Sequence, residues 1–235
     1  MASGASTARN TSTQAQQSLS ARARRAARTP QPRNTMARSA LLCGLALHRL
    51  ASSVAAAGGA CPLDAVPGSL LKFRGLNGGA SLGASELAGR VVLVVNTASY
   101  CGYTPQLTSL QALHERYAPQ GLVVLGVPSN DFGAQEPDAE AAIQARYSAP
   151  PFGVRFPLTA KYAVSGGEAH PFFLHLQHKL GDAGAPHWNF QKYLVGKDGQ
   201  IAALFDPSMD PLLPEVTAAV EDALAAEDEA HGEEL

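Results

Sequence analysis

The stretch Val91-Val92-Leu93-Val94-Val95-Asn96-Thr97-Ala98-Ser99-Tyr100-Cys101-Gly102-Tyr103-Thr104-Pro105-Gln106 decides the fold. Its first residues form an unbroken apolar run rich in β-branched side chains, the pattern of a strand buried on both faces in the middle of a parallel sheet. After Cys101, Thr104 is placed to cap a helix with Pro105 in its first position, and Leu107, Leu110, Leu113 and Tyr117 then make its apolar stripe. Gly121 ends that helix, and a second apolar strand is expected over residues 122–127. Strand, helix and strand in this order make a βαβ unit with a right-handed crossover.

Working outward, Pro137 or Asp138 opens a further helix through Tyr147, which Ala149-Pro150-Pro151-Phe152 closes. Residues 156–162 read as extended, and a helix is expected over 170–180. The turn Gly196-Lys197-Asp198-Gly199 joins two antiparallel strands, 191–195 and 200–204. A last helix covers about residues 212–226, and short strands at 70–74 and 81–82 precede the βαβ unit. This is the element order of an α/β, thioredoxin-like fold with a mixed central sheet flanked by helices.

The 235 residues suffice for one domain, expected over 64–226, with an N-terminal extension (1–63) and an acidic tail (227–235). A net charge of −2 offers no basic surface for a phosphate backbone, so nucleic acid is not an expected partner. No Asp or Glu precedes Asp64, whereas Arg9, Arg22, Arg24, Arg25, Arg28, Arg33, Arg38 and Arg49 stand among Ser, Thr, Ala and Gln. That composition reads as disordered or targeting sequence. It fits an organellar transit peptide, or a secretory signal that starts at Met36, with export slightly favoured. The apolar run at 40–47 is cut short by His48 and Arg49, so no transmembrane segment is expected.

Three cysteines, Cys43, Cys61 and Cys101, are too few for a disulfide framework or a cysteine-rich zinc site, and only Cys101 falls in the folded part. A lone cysteine is ordinarily a small buried apolar residue. Between a buried strand and the start of a helix, however, unpaired N–H groups and the helix dipole favour the thiolate, the form that attacks electrophiles.

Three segments sharpen this reading. Residues Asn96 to Gln106 resemble the peroxidatic cysteine motif of the glutathione peroxidase family. Pro128-Ser129-Asn130-Asp131-Phe132-Gly133-Ala134-Gln135-Glu136-Pro137 resembles its second motif, and Trp188-Asn189-Phe190-Gln191-Lys192-Tyr193-Leu194-Val195 its third. The resemblance implies an antioxidant thiol peroxidase of the non-selenium type. It would turn hydrogen peroxide and organic or lipid hydroperoxides into water and alcohols through a Cys101 sulfenic acid. Trp188 and Asn189 match the family's tryptophan and asparagine, whose N–H groups would stabilise the sulfur and the leaving oxygen.

The family's glutamine position carries Asp131. An ionised carboxylate cannot donate a hydrogen bond, so Asp131 is expected to relay a proton, or else to turn away and leave the task to Gln135 or water. It is also placed to act simply as a loop-structuring residue after Asn130. The positions where cysteine members hold a resolving cysteine carry Ser129 and Ser148, and no cysteine follows Cys101. The expected cycle therefore uses one cysteine and an external thiol, glutathione or a thioredoxin-type reductant, with no bound cofactor and no metal. The short segment 166–188 suggests a monomer or small oligomer with an open site. His170, His175 and His178 read as surface histidines on one helix. A peroxide sensor or redox binding protein of low turnover is the alternative reading.

Overall fold

The structure is a computed structural model, and it describes residues 66–226. The expectations for residues 1–63 and 227–235 lie outside the described residues. The elements are α1 (Ala84–Leu87), β1 (Val91–Thr97), α2 (Gln106–Tyr117), β2 (Leu122–Pro128), α3 (Glu140–Ser148), α4 (Pro171–Leu180), β3 (Lys192–Val195), β4 (Ile201–Phe205) and α5 (Pro214–Ala225).

The sheet has the order β2-β1-β3-β4. β1 pairs in parallel with β2 and antiparallel with β3, which pairs antiparallel with β4. Every residue of β1 and β2 is buried, as the apolar runs require. Because side chains alternate along a strand, Val91, Leu93 and Val95 pack with Leu107, Leu110 and Tyr117 of α2 and Val216 and Val220 of α5. Val92 and Val94 enter the opposite layer with Phe172, Phe173 and Leu176 of α4. The sheet is thus covered on both faces, as a parallel pair needs to be.

Two local expectations are corrected, and the segment 156–162 is extended as expected. Residues 68–71 form a turn of 3₁₀ helix, and the expected N-terminal strands reduce to one bridge between Phe73 and Leu82. Leu158 bridges Gly126 of β2 and Thr159 bridges Gly75, so the extended segment lies along the sheet edge without adding a strand. Gly126 permits this approach, since a Cβ there would lie 2.7 Å from the Leu158 side chain. Finally, α2 begins after Pro105, and Thr104 does not cap it. The Thr104 hydroxyl instead accepts from the Cys101 N–H at 3.1 Å and faces the Cys101 and Ala98 carbonyls.

Candidate active site

The three motifs meet where β1 and β2 end and β3 begins. The parallel ladder carries past both strands through Ser129 N–H to Thr97 C=O at 3.0 Å. Asn96, fully buried, fastens the third motif: its side-chain Nδ2 donates to Trp188 C=O at 3.0 Å, while its carbonyl accepts from Phe190 N–H at 2.6 Å. Asn130 closes the second motif on itself by accepting from Glu136 N–H at 2.8 Å.

Cys101 occupies the turn between β1 and α2, is 8% exposed and is a free thiol. The first N–H groups of α2 already bond to carbonyls three residues back. The N–H aimed at the sulfur is that of Tyr103, at 3.4 Å from Sγ. A backbone N–H at that position can hydrogen-bond the sulfur while it attacks an electrophile.

The carboxylate of Asp131 is engaged elsewhere. Oδ2 accepts from the N–H groups of Val164 and Ser165 at 2.7 and 2.8 Å and from the Ser165 hydroxyl at 3.1 Å. Asp131 therefore clamps the loop before α4, and a carboxylate so satisfied is badly placed to relay protons. Of the roles open to it from sequence, turning away and structuring a loop are the two this geometry supports.

Asn189 is fully buried, and its Nδ2 donates to Gln135 Oε1 at 2.9 Å and to Phe132 C=O at 3.4 Å. Trp188 is 39% exposed, its ring centroid 5.8 Å from that of Phe132. Gln135 C=O accepts from Tyr100 N–H at 3.0 Å, which ties the second motif to the residue before Cys101. The turn that carries Cys101 is thus tied through Tyr100 and Gln135 to Asn189, while Asn96 ties Trp188 to β1.

Two buried charges support the assembly. Lys192, wholly buried, donates from Nζ to the carbonyls of Phe190 at 2.8 Å, Pro207 at 3.3 Å and Asp206 at 3.4 Å. Burial lowers its pKa to about 8. Glu136, also buried, accepts from the Tyr147 hydroxyl at 2.9 Å, and burial pushes its carboxyl above the usual range. Sequence reasoning missed the roles of Asn96, Glu136 and Lys192. For Asn96 and Lys192 the available signal was a polar or charged residue inside an otherwise apolar, strand-like run; Glu136, in a loop, carried no such signal.

The fold is thioredoxin-like: the crystal structure of thioredoxin-like superfamily protein SPOA0173 superposes with a TM-score of 0.50 at 14% identity, covering 70% of this chain and 98% of that one. A Trgpx crystal structure in apo form gives a TM-score of 0.51 at 30% identity over 66% of this chain and 95% of that one. The family description "Glutathione peroxidase" matches residues 71–177. The hydroperoxy fatty acid reductase Gpx2 of Synechocystis sp. is 42% identical over 62% of this chain and 92% of its own length. A glutathione peroxidase-like peroxiredoxin, GPX5 of Chlamydomonas reinhardtii, is 44% identical over 56% of this chain and 83% of its own. The chain belongs to the glutathione peroxidase family and is a peroxidase-type oxidoreductase.

Proposed function

We propose that this chain is a one-cysteine thiol peroxidase for hydrogen peroxide and organic hydroperoxides, lipid hydroperoxides included. The Cys101 thiolate attacks the terminal peroxide oxygen. The S–O bond forms as the O–O bond breaks, and the second oxygen leaves with a proton as water or alcohol. Sulfur is oxidised to the sulfenic acid and the peroxide is reduced. An external thiol then displaces the sulfenic oxygen as water, and a second thiol frees Cys101 as the disulfide departs.

The observation that carries this reading is Cys101 itself, the one cysteine among the described residues, with the Tyr103 N–H on its sulfur and the three motifs bonded around it. Trp188 offers an indole N–H to the leaving oxygen. Tyr100, 50% exposed and next to Cys101 in the chain, and the paired rings of Phe132 and Trp188 offer exposed apolar surface for an acyl chain. A lipid substrate also suits the Synechocystis relative, which is named for hydroperoxy fatty acids. Glutathione and thioredoxin are the reductants proposed, and the arginine-rich residues 1–63 are proposed as a targeting segment.

The test is the second-order rate of Cys101 oxidation by hydrogen peroxide and by a fatty-acid hydroperoxide, followed by turnover with each reductant. The expected rate exceeds that of a free thiol by several orders of magnitude. Cys101→Ser is expected to abolish peroxide consumption, and an unchanged rate in that variant would sink the proposal.

A further inference from the structure

Resting on this peroxidase reading, we infer that Gln135 is a further catalytic residue, the amide donor whose Nε2 stabilises the oxygen that leaves when the peroxide O–O bond breaks.

Two of the candidate side chains are already engaged. Asp131 has no proton to give when ionised, and its Oδ2 is held by Val164 and Ser165. Asn189 has two amide hydrogens and two acceptors for them, Gln135 Oε1 and Phe132 C=O. An amide whose hydrogens are both engaged has none left for a ligand. The bond to Asn189 also settles which end of Gln135 is taken. Its Oε1 accepts, so Nε2 is the opposite end, and that group has no hydrogen bond among the described residues. Asn189 is completely buried while Gln135 is half-buried, so the unspent amide of the pair is the one a small molecule can reach.

The backbone holds Gln135 in this position. Its carbonyl is bonded to the N–H of Tyr100, next to Cys101. Gly133 and Ala134 before it have φ values of 63° and 51°. A Cβ on Gly133 would sit 3.4 Å from the Gln135 side chain, which lies folded over that glycine. Phe190, at φ 70°, directly follows Asn189. Left-handed backbone in a non-glycine residue costs on the order of 1–3 kcal/mol and persists where the surroundings enforce it. Of the three non-glycine residues with positive φ among the described residues, Ala134 and Phe190 adjoin the two partners of this amide pair.

In the step itself, the sulfur lone pair forms the S–O bond and the O–O electron pair goes to the departing oxygen. The Nε2–H group donates to that oxygen as its negative charge develops, and water supplies the proton.

The test measures Cys101 oxidation by hydrogen peroxide in the full chain, across a pH range that reaches full thiol ionisation, for the wild type, Gln135→Glu, Gln135→Met and Asp131→Asn. Gln135→Glu keeps an oxygen for Asn189, removes the donor and adds a charge; Gln135→Met removes donor and acceptor without adding one. Both are expected to slow oxidation by about 10²–10³-fold, as loss of one oxyanion donor does. The loss should persist at the pH where the thiol is ionised, with the thermal transition of Gln135→Glu unchanged. Asp131→Asn is expected to lose less than about tenfold, the effect of a loop clamp that keeps one acceptor. Wild-type rates in Gln135→Glu would overturn the inference and leave the peroxidase reading intact. A wild-type protein no faster than a free thiol would overturn both.

Discussion

The two ends of this sheet's buried volume are held together by different physics. Beneath α4, Phe73, Phe172, Phe173 and Tyr193 pack edge to face with ring centroids 5.1 to 6.2 Å apart. Around the ends of β1 and β2, equally buried residues are polar, namely Asn96, Glu136, Asn189 and Lys192, and each is held by named partners. Apolar burial is non-directional and yields stability. A hydrogen-bonded network in a dry setting yields position, because each member has few acceptable orientations and an unmet partner is costly. The aromatic layer therefore carries stability, and the polar end carries the chemistry.

That division can be broken most directly from the aromatic side. Phe172→Ala is expected to destabilise the fold by about 3–5 kcal/mol in denaturant melts, the cost of a large cavity. The rate of Cys101 oxidation in the folded protein should stay within about twofold, since Phe172 packs in the layer opposite the one that holds Cys101. A rate collapse at unchanged melting would erase the distinction.

The next effect is one of pH. Lys192 titrates at about 8 in the folded protein against 10.5 ordinarily, so the folded state holds fewer protons than the unfolded chain between those values. Lys192 should accordingly contribute a rise in stability of roughly 2 kcal/mol from pH 8 toward 10.5, opposed by Tyr147 and Tyr193, whose raised pKa values act the other way. In Lys192→Met that rise should disappear, which urea midpoints at the two ends of the window would show.

Asn96→Ala removes the bond to the Trp188 carbonyl. It is expected to cost about 2 kcal/mol and, unlike Phe172→Ala, to slow Cys101 oxidation about tenfold as the third motif loosens. Stopped-flow rates beside melting curves separate the two effects.

The smallest shift concerns Glu136. Burial raises its carboxyl pKa above 4.5, so the folded state favours the proton, and ionisation costs stability as pH rises past that value. Glu136→Gln keeps an acceptor for Tyr147 and should be more stable than the wild type at pH 8 and equal to it at pH 4. A loss at pH 8 would mean that the carboxylate is needed in place.

The sequence by itself determined the four strands of the sheet, the four longer helices and the cysteine. Residues 91–95 could be read as a buried parallel strand because a run of Val and Leu has no polar face to expose, and the helix expected over 170–180 is α4, which begins at Pro171, where proline loses nothing. Helix starts were less legible. Thr104 has the right chemistry for a cap, yet its hydroxyl is taken by the Cys101 turn, a competition visible only once the chain has folded. Only the tertiary structure decided what Asp131 and Gln135 do. They stand four positions apart in one motif, and both side chains were open to a role at the thiol. Their partners, Val164 and Ser165 for one and Asn189 for the other, lie far along the chain, and long-range hydrogen bonds leave no periodicity in a sequence.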